Sequence, residues 1–192
     1  MRDQYYEHLD QIVDDLVIII DQVRSAVALS TEALLNADAA KAEQVIESET
    51  KIEESIDEVE ERALILLATQ QPVATDLRQL VSTLRMVADL QRMSHLAVHV
   101  SKIARRRMPY AAVPAPVQPL VRDMAKVADS MIGSASRIVS NRDLGAAAEL
   151  ELDETLEIPQ ARRLLKALND RRNFAVQHIL GITVDGLRDM FF

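Results

Sequence analysis

From Val73 to Met108 the chain runs without a proline or glycine, and Pro72 and Pro109 mark the two ends of that run. Apolar side chains recur in it at three- and four-residue steps, which is the period of an amphipathic helix and not of a strand. The seam of this long helix reads through Leu77, Leu80 or Val81, Leu84, Val87 or Ala88, then Gln91, His95 and Val98. Two polar groups therefore stand where the pattern asks for apolar ones. Left unpaired inside a bundle, each would cost roughly 1–3 kcal/mol, so both need partners.

The preceding stretch, residues 39–70, supplies them. Its seam is Val45, Glu49, Ile52, Ile56, Val59, Ala63 and Leu66, with Glu49 as the polar intruder and Glu53 one turn further on. A chain that folds back at Pro72 into an antiparallel helical hairpin brings residues equally far from the turn level with one another. That register sets Glu53 opposite Gln91 and Glu49 opposite His95. Two readings fit: the amide and imidazole hydrogen-bond the glutamates and fix the register, or Glu49, Glu53, His95 and His99 converge on a metal. His95 and His99, at i and i+4, lie on one helix face, a spacing suited to zinc or iron.

Upstream, residues 3–35 carry a third seam through Leu9, Ile12 or Val13, Leu16, Ile19 or Ile20, Val23, Val27 and Leu34. The run from Leu16 to Ile20 is apolar right round the helix. Either neighbours on two sides cover it, or part of it is a partner or dimer surface. Asn36 to Asp38 breaks this helix and caps the next. Three such helices make a self-sufficient antiparallel bundle over residues 1–107.

Four prolines between 109 and 119 rule out a helix there, so residues 108–119 read as a linker. Helical spacing restarts at Leu120, with Leu120, Met124, Val127, Met131, Ile132 and Ile138 as core candidates. Asn141 to Asp143 then repeats the break at Asn36 to Asp38. In the same register Ala147 matches Ala42, and Glu154 and Thr155 match Glu49 and Thr50, which points to an internal duplication. Residues 120–192 are thus a second, shortened three-helix bundle, interrupted at Pro159, turning at Asn169 and Asp170, and ending in a helix that Gly181 and Gly186 weaken. The shortened bundle is expected to be the less stable one or to complete itself through a homodimer.

Only 4 Gly and 6 Pro among 192 residues, with 48% hydrophobic residues, agree with an all-α chain able to bury a core. A formal charge of -8 argues against nucleic acid as a partner, and zero cysteine excludes thiol chemistry and cysteine metal sites. No secretory leader and no apolar run of bilayer length appear, so a cytoplasmic location is expected. Arg78, Arg85 and Arg92, seven apart, form one charged face. They pair with acids such as Glu54, Glu58 and Glu61, or they bind a partner. Lys102 and Arg105 to Arg107 close the long helix, where cations complement its dipole or contact an acidic partner or anionic lipid. No glycine-rich phosphate loop is present.

The run Gln71 to Arg78 (QPVATDLR), followed by Met86 to His95 and Ala97 to Ala104, resembles the PhoU family of phosphate-signalling accessory proteins. The resemblance is densest over residues 40–107, and the exit from Arg105 to Pro109 looks most like the actinobacterial branch. It implies two three-helix bundles in tandem and no catalytic activity. It further implies a cytoplasmic negative regulator that couples the ATPase subunit of the Pst phosphate importer to a PhoR-type sensor kinase, peripheral to the membrane only through these partners. Paired acidic motifs of the family hold zinc or iron in some members, although no cofactor is required. Carried over, these motifs fall on Glu49 and Glu53 and on Gln91 and His95, so Gln91 occupies an acidic position. In the second copy only Asp185 and Asp189 have the acid spacing. The alternative is a helical metal-binding or interaction module unrelated to phosphate. A ferritin-like di-metal enzyme fits poorly, because that class needs Glu-x-x-His motifs and none occurs.

Overall fold

The computed structural model describes residues 2–142, within which four α-helices and one short 3-10 turn follow one another: α1, Arg2–Asn36; α2, Ala39–Gln70; α3, Ala74–Arg107; the 3-10 turn, Ala115–Val117; and α4, Gln118–Asn141. The fold is all-α. Residues 143–192, with Pro159, the expected turn at Asn169, Asp185 and Asp189, and therefore the shortening of the second bundle, lie outside the described residues.

α1, α2 and α3 pack mutually around a core in which Ile12, Leu16, Ile19, Val45, Ile56, Val59, Leu80, Val87 and Val98 are all essentially solvent-free, and a second apolar cluster gathers Leu34 and Ala42 with Ala104, Val113 and Val121. The seams of α1 and α2 run as their periodicity says. Between them, Asp38 caps α2 by accepting the Lys41 amide on its side chain at 3.1 Å, and Ala37 turns the chain at φ 53. At the other end Gln71 takes a left-handed φ of 46, Val73 is extended, and α3 begins at Ala74, one residue after the proline-free run begins.

The seam of α3 differs from expectation. Its buried face is Leu80, Thr83, Val87, Leu90, Met93, Ser94, Ala97, Val98, Ser101 and Ala104, while Leu77 and Val81 are exposed and Gln91 and His95 sit at the flank that looks toward α2. Small hydroxyl side chains occupy the true seam because helices approach closely there. Hydrophobicity alone steers the eye one residue round the wheel.

Residues 108–117 are not a free spacer. Ala112 and Val113 are buried against the end of α1, the Ala112 amide donates to the Leu34 carbonyl, and Gln118 Nε2 donates to the carbonyls of Leu35 and Val113. The Met108–Pro109 peptide is cis. α4 starts at Gln118 with Pro119 in its first turn, where the missing N–H costs nothing. It packs antiparallel on α1 through Arg24–Asp129, Asp21–Ser136 and Asp10–Arg142 contacts. Of its expected core residues Ile132 is buried, whereas Leu120, Met124, Val127, Met131 and Ile138 are half-buried; α1 instead meets Ala128, Gly133 and Ser136. Small residues there let the two helix backbones come close.

α4 also covers part of the apolar run in α1. Leu16, Ile19 and Ile20 are buried, Val17 is half-buried, and Ile18 remains 54% exposed. Helices on both sides thus account for the run except at Ile18.

Candidate functional site

The outer seam between α2 and α3, on the side away from α1, gathers the polar residues singled out above. His95 Nε2 lies 2.8 Å from Glu53 Oε1. Lys102 Nζ lies 3.6 Å from Glu49 Oε2. One ligand atom each from Glu49, Glu53 and His95 can be chosen within 4.8 Å of one another, a separation that a single cation could bridge. His95 and Lys102 are two turns apart and so share a face of α3, as Glu49 and Glu53 share a face of α2.

The register is one turn away from the one the turn position implies: Glu53 meets His95, not Gln91. Side chains lean toward the N-terminus of their own helix. In an antiparallel pair the Glu53 side chain leans away from the turn and the His95 side chain leans toward it, so the tips meet although their Cα atoms are not level. Gln91 is half-buried and makes no hydrogen bond among the described residues. His99 is exposed and stands outside the three-residue group, because four residues advance 400° and carry it about 40° further round, away from α2. The four-residue ligand set Glu49, Glu53, His95 and His99 therefore contracts to three.

The three remaining donors fit a single zinc or iron ion chemically: one imidazole nitrogen and two carboxylates. They do not fit a cluster, since Gln91 supplies no charge and Lys102 already neutralises Glu49. Side-chain exposures of 25% for Glu49, 38% for Glu53 and 42% for His95 place the group within reach of solvent ions without burying it. Lys102 was legible only as a helix-end cation; its spacing of two turns from His95 was the available signal. Arg105, expected at the helix end for the dipole or for an acidic partner or anionic lipid, pairs with Glu43 at 3.2 Å.

Arg78, Arg85 and Arg92 are all exposed on α3. Elsewhere Arg62 reaches across to Asp15 of α1 at 2.7 Å. Arg24 grips Asp129 with two hydrogen bonds of 2.6 and 2.8 Å, which holds the Asp129 carboxyl below its ordinary pKa and raises that of Arg24.

Residues 16–104 match the family model described as the PhoU domain. The chain is 40% identical to the phosphate-specific transport system accessory protein PhoU homolog 2 of Mycobacterium tuberculosis, over 89% of this chain and 80% of that protein. It belongs to the PhoU family. PhoU homolog 1 of Mycobacterium leprae is 39% identical over 89% of this chain and 77% of its own length, so the resemblance to the actinobacterial branch is met by mycobacterial relatives. Among solved structures, PhoU from Pseudomonas aeruginosa superposes with a TM-score of 0.81 at 23% identity, covering 97% of this chain and 90% of that one. PhoU from Streptococcus pneumoniae gives 0.76 at 16% identity, covering 97% and 89%. These likenesses establish the PhoU fold. No helix among the described residues is long and apolar enough to cross a membrane.

Proposed function

We propose that this chain is a non-catalytic accessory protein of a phosphate-specific transport system. It acts as a negative regulator in the cytoplasm, coupling the transporter's ATPase subunit to a PhoR-type sensor kinase. The observation that carries this reading is the 40% identity, spanning most of both chains, to a mycobacterial protein named as the accessory protein of that system. Its logic is that of a scaffold: a rigid helical body that binds the kinase more tightly in its inactive state shifts the kinase toward that state, by as much as the difference in affinity and no more. Arg78, Arg85 and Arg92 supply an exposed cationic face for an acidic patch on either partner. Nucleic acid is not among the partners, and membrane association runs through the transporter.

Glu49, Glu53 and His95 hold one zinc or iron ion in the same reading, as an addition to the scaffold and not as a catalyst. A metal-binding or interaction module without a phosphate role is the second reading, favoured by this one cluster. Deleting the gene and following a phosphate-starvation reporter in abundant phosphate separates the two. Derepression supports the regulator; a silent reporter with intact metal binding supports the module.

A further inference from the structure

The start of α1, the end of α2 and the start of α3 come together at one end of the bundle, and between them lies a cleft of about 360 Å³. That is near the lower end of the range for small-ligand sites, roughly 300–1,000 Å³. Tyr5 and Tyr6 line it from α1, Gln70 and Gln71 from the end of α2, and Pro72 and Asp76 from the turn and the first turn of α3.

The two rings meet edge to face, with centroids 5.4 Å apart and planes at 62°. In that arrangement one ring turns its edge to the other, so its own faces stay unstacked by it. Tyr5 is held by packing against the core, while Tyr6 is 43% exposed. The Tyr5 hydroxyl is closed off from water without a well-formed hydrogen bond among the described residues. Asp76 is the charge beside it: burial first, and then that carboxylate, raise the Tyr5 pKa. Asp76 itself makes no ion pair among the described residues, and no Lys or Arg lines the cleft. The positive end of α3 offsets only about half of a carboxylate charge.

An aromatic face, an unsatisfied oxygen and an uncompensated carboxylate around one cleft suit a cation. We propose that the cleft takes the guanidinium of an arginine side chain presented by a protein partner. A guanidinium is planar, stacks on aromatic rings, is more weakly hydrated than an ammonium and carries five donors. Two of its N–H groups suffice for Asp76, and a third gives the Tyr5 oxygen the bond it lacks. The source is a protein and not a free amino acid because the rim is apolar. Val73 is 74% exposed at the mouth, and Leu77, one turn further on the same face, is 42% exposed. Apolar residues on either side of the arginine would cover both, and an arginine anchor ringed by apolar contacts is a common centre of binding energy between proteins.

This site goes beyond the phosphate reading and is tested apart from it, by NMR of the full chain as a blocked Leu-Arg-Leu tripeptide is added. The sequence holds only three tyrosines, so the ring signals of Tyr5 and Tyr6 are readily followed. Their shifts are expected to saturate with a Kd of about 1 mM or below. The same peptide with citrulline, which keeps the shape and loses the charge, is expected not to saturate, and the lysine peptide to bind roughly threefold more weakly. Asp76→Asn weakens the arginine peptide at least about fivefold and Tyr6→Leu roughly threefold, with circular dichroism and melting curve unchanged. Blocked arginine alone binds at least about threefold more weakly than the tripeptide. Absence of saturable shifts, a citrulline peptide that binds equally, or indifference to Asp76→Asn overturns the cation site. A lysine peptide as tight as the arginine one overturns the guanidinium, and blocked arginine as tight as the tripeptide overturns the protein partner.

Discussion

Arg24 in α1 and Asp129 in α4 are 105 residues apart, the same offset that separates the helix breaks at Asn36 and Asn141, and they hold each other by two hydrogen bonds. Their spacing has the offset expected for an internal duplication, and their contact ties α1 to α4. The left-handed residues after the two helices, Ala37 and Arg142, with φ of 53 and 52, obey the same offset.

The pair makes a prediction about pH. Asp129 has a folded-state pKa lowered from 3.8, first by the hydrogen bond from Arg24. A depressed carboxyl stabilises the fold above its unfolded value, and that contribution is lost as pH falls through the folded value. The α1–α4 contact should hold from neutral pH to about 4 and weaken below. Both side chains are partly exposed, 40% and 46%, so Asp129→Asn should cost no more than about 1 kcal/mol in urea unfolding at pH 7, and less as pH falls through the lowered folded-state value of Asp129.

Gly133 sits beneath the same pair. A Cβ there would stand 2.9 Å from Arg24 Cζ and Nη1, so alanine must push the guanidinium off Asp129. The gain in helix propensity, about 1 kcal/mol, offsets that loss. Gly133→Ala should be nearly neutral alone and stabilising in the Asp129→Asn background; thermal melts of the double-mutant cycle decide it.

Metal binding should follow the three-residue group. Zinc titration by calorimetry is expected to lose its stoichiometric site in His95→Ala and in Glu49→Ala, and to keep it in His99→Ala, which lies outside the group. Stoichiometric zinc persisting in the His95→Ala, Glu49→Ala double variant would displace the site from this seam.

Lys102 is a tethered rival for any cation on Glu49, at 3.6 Å. Lys102→Gln should tighten zinc binding by roughly twofold to fivefold, the worth of a surface ion pair, without altering the stoichiometry. An unchanged affinity would mean that Glu49 already leaves Lys102 at no cost.

Much of this molecule was legible from its residues. The seams of α1 and α2, the cap at Asp38, the fold-back at Pro72 and the gathering of Glu49, Glu53 and His95 across one hairpin all follow from period, capping chemistry and chain reversal. Two things were not. α3 buries Thr83, Ser94 and Ser101 and exposes Leu77 and Val81, because close helix approach selects for small size there, which a hydrophobic pattern does not register. The register slipped by one turn because counting Cα atoms from the turn ignores the lean of side chains toward each helix N-terminus. His99 fell outside the group for the related reason that i+4 is not a full number of turns. The resemblance to the family was legible in the Gln71 to Arg78 run, together with Met86 to His95 and Ala97 to Ala104; most of the first run is exposed in the structure, with Val73 74% exposed.

The central claim, that this PhoU-family chain restrains phosphate-starvation signalling, is tested most directly by a phosphate-starvation reporter in the native host, with and without the gene, in abundant phosphate. The account predicts that loss of the gene switches the reporter on and that restoring the gene, but not an Arg78→Glu, Arg85→Glu form, switches it off. A reporter that stays silent without the gene, in a strain holding no other family member, would contradict it.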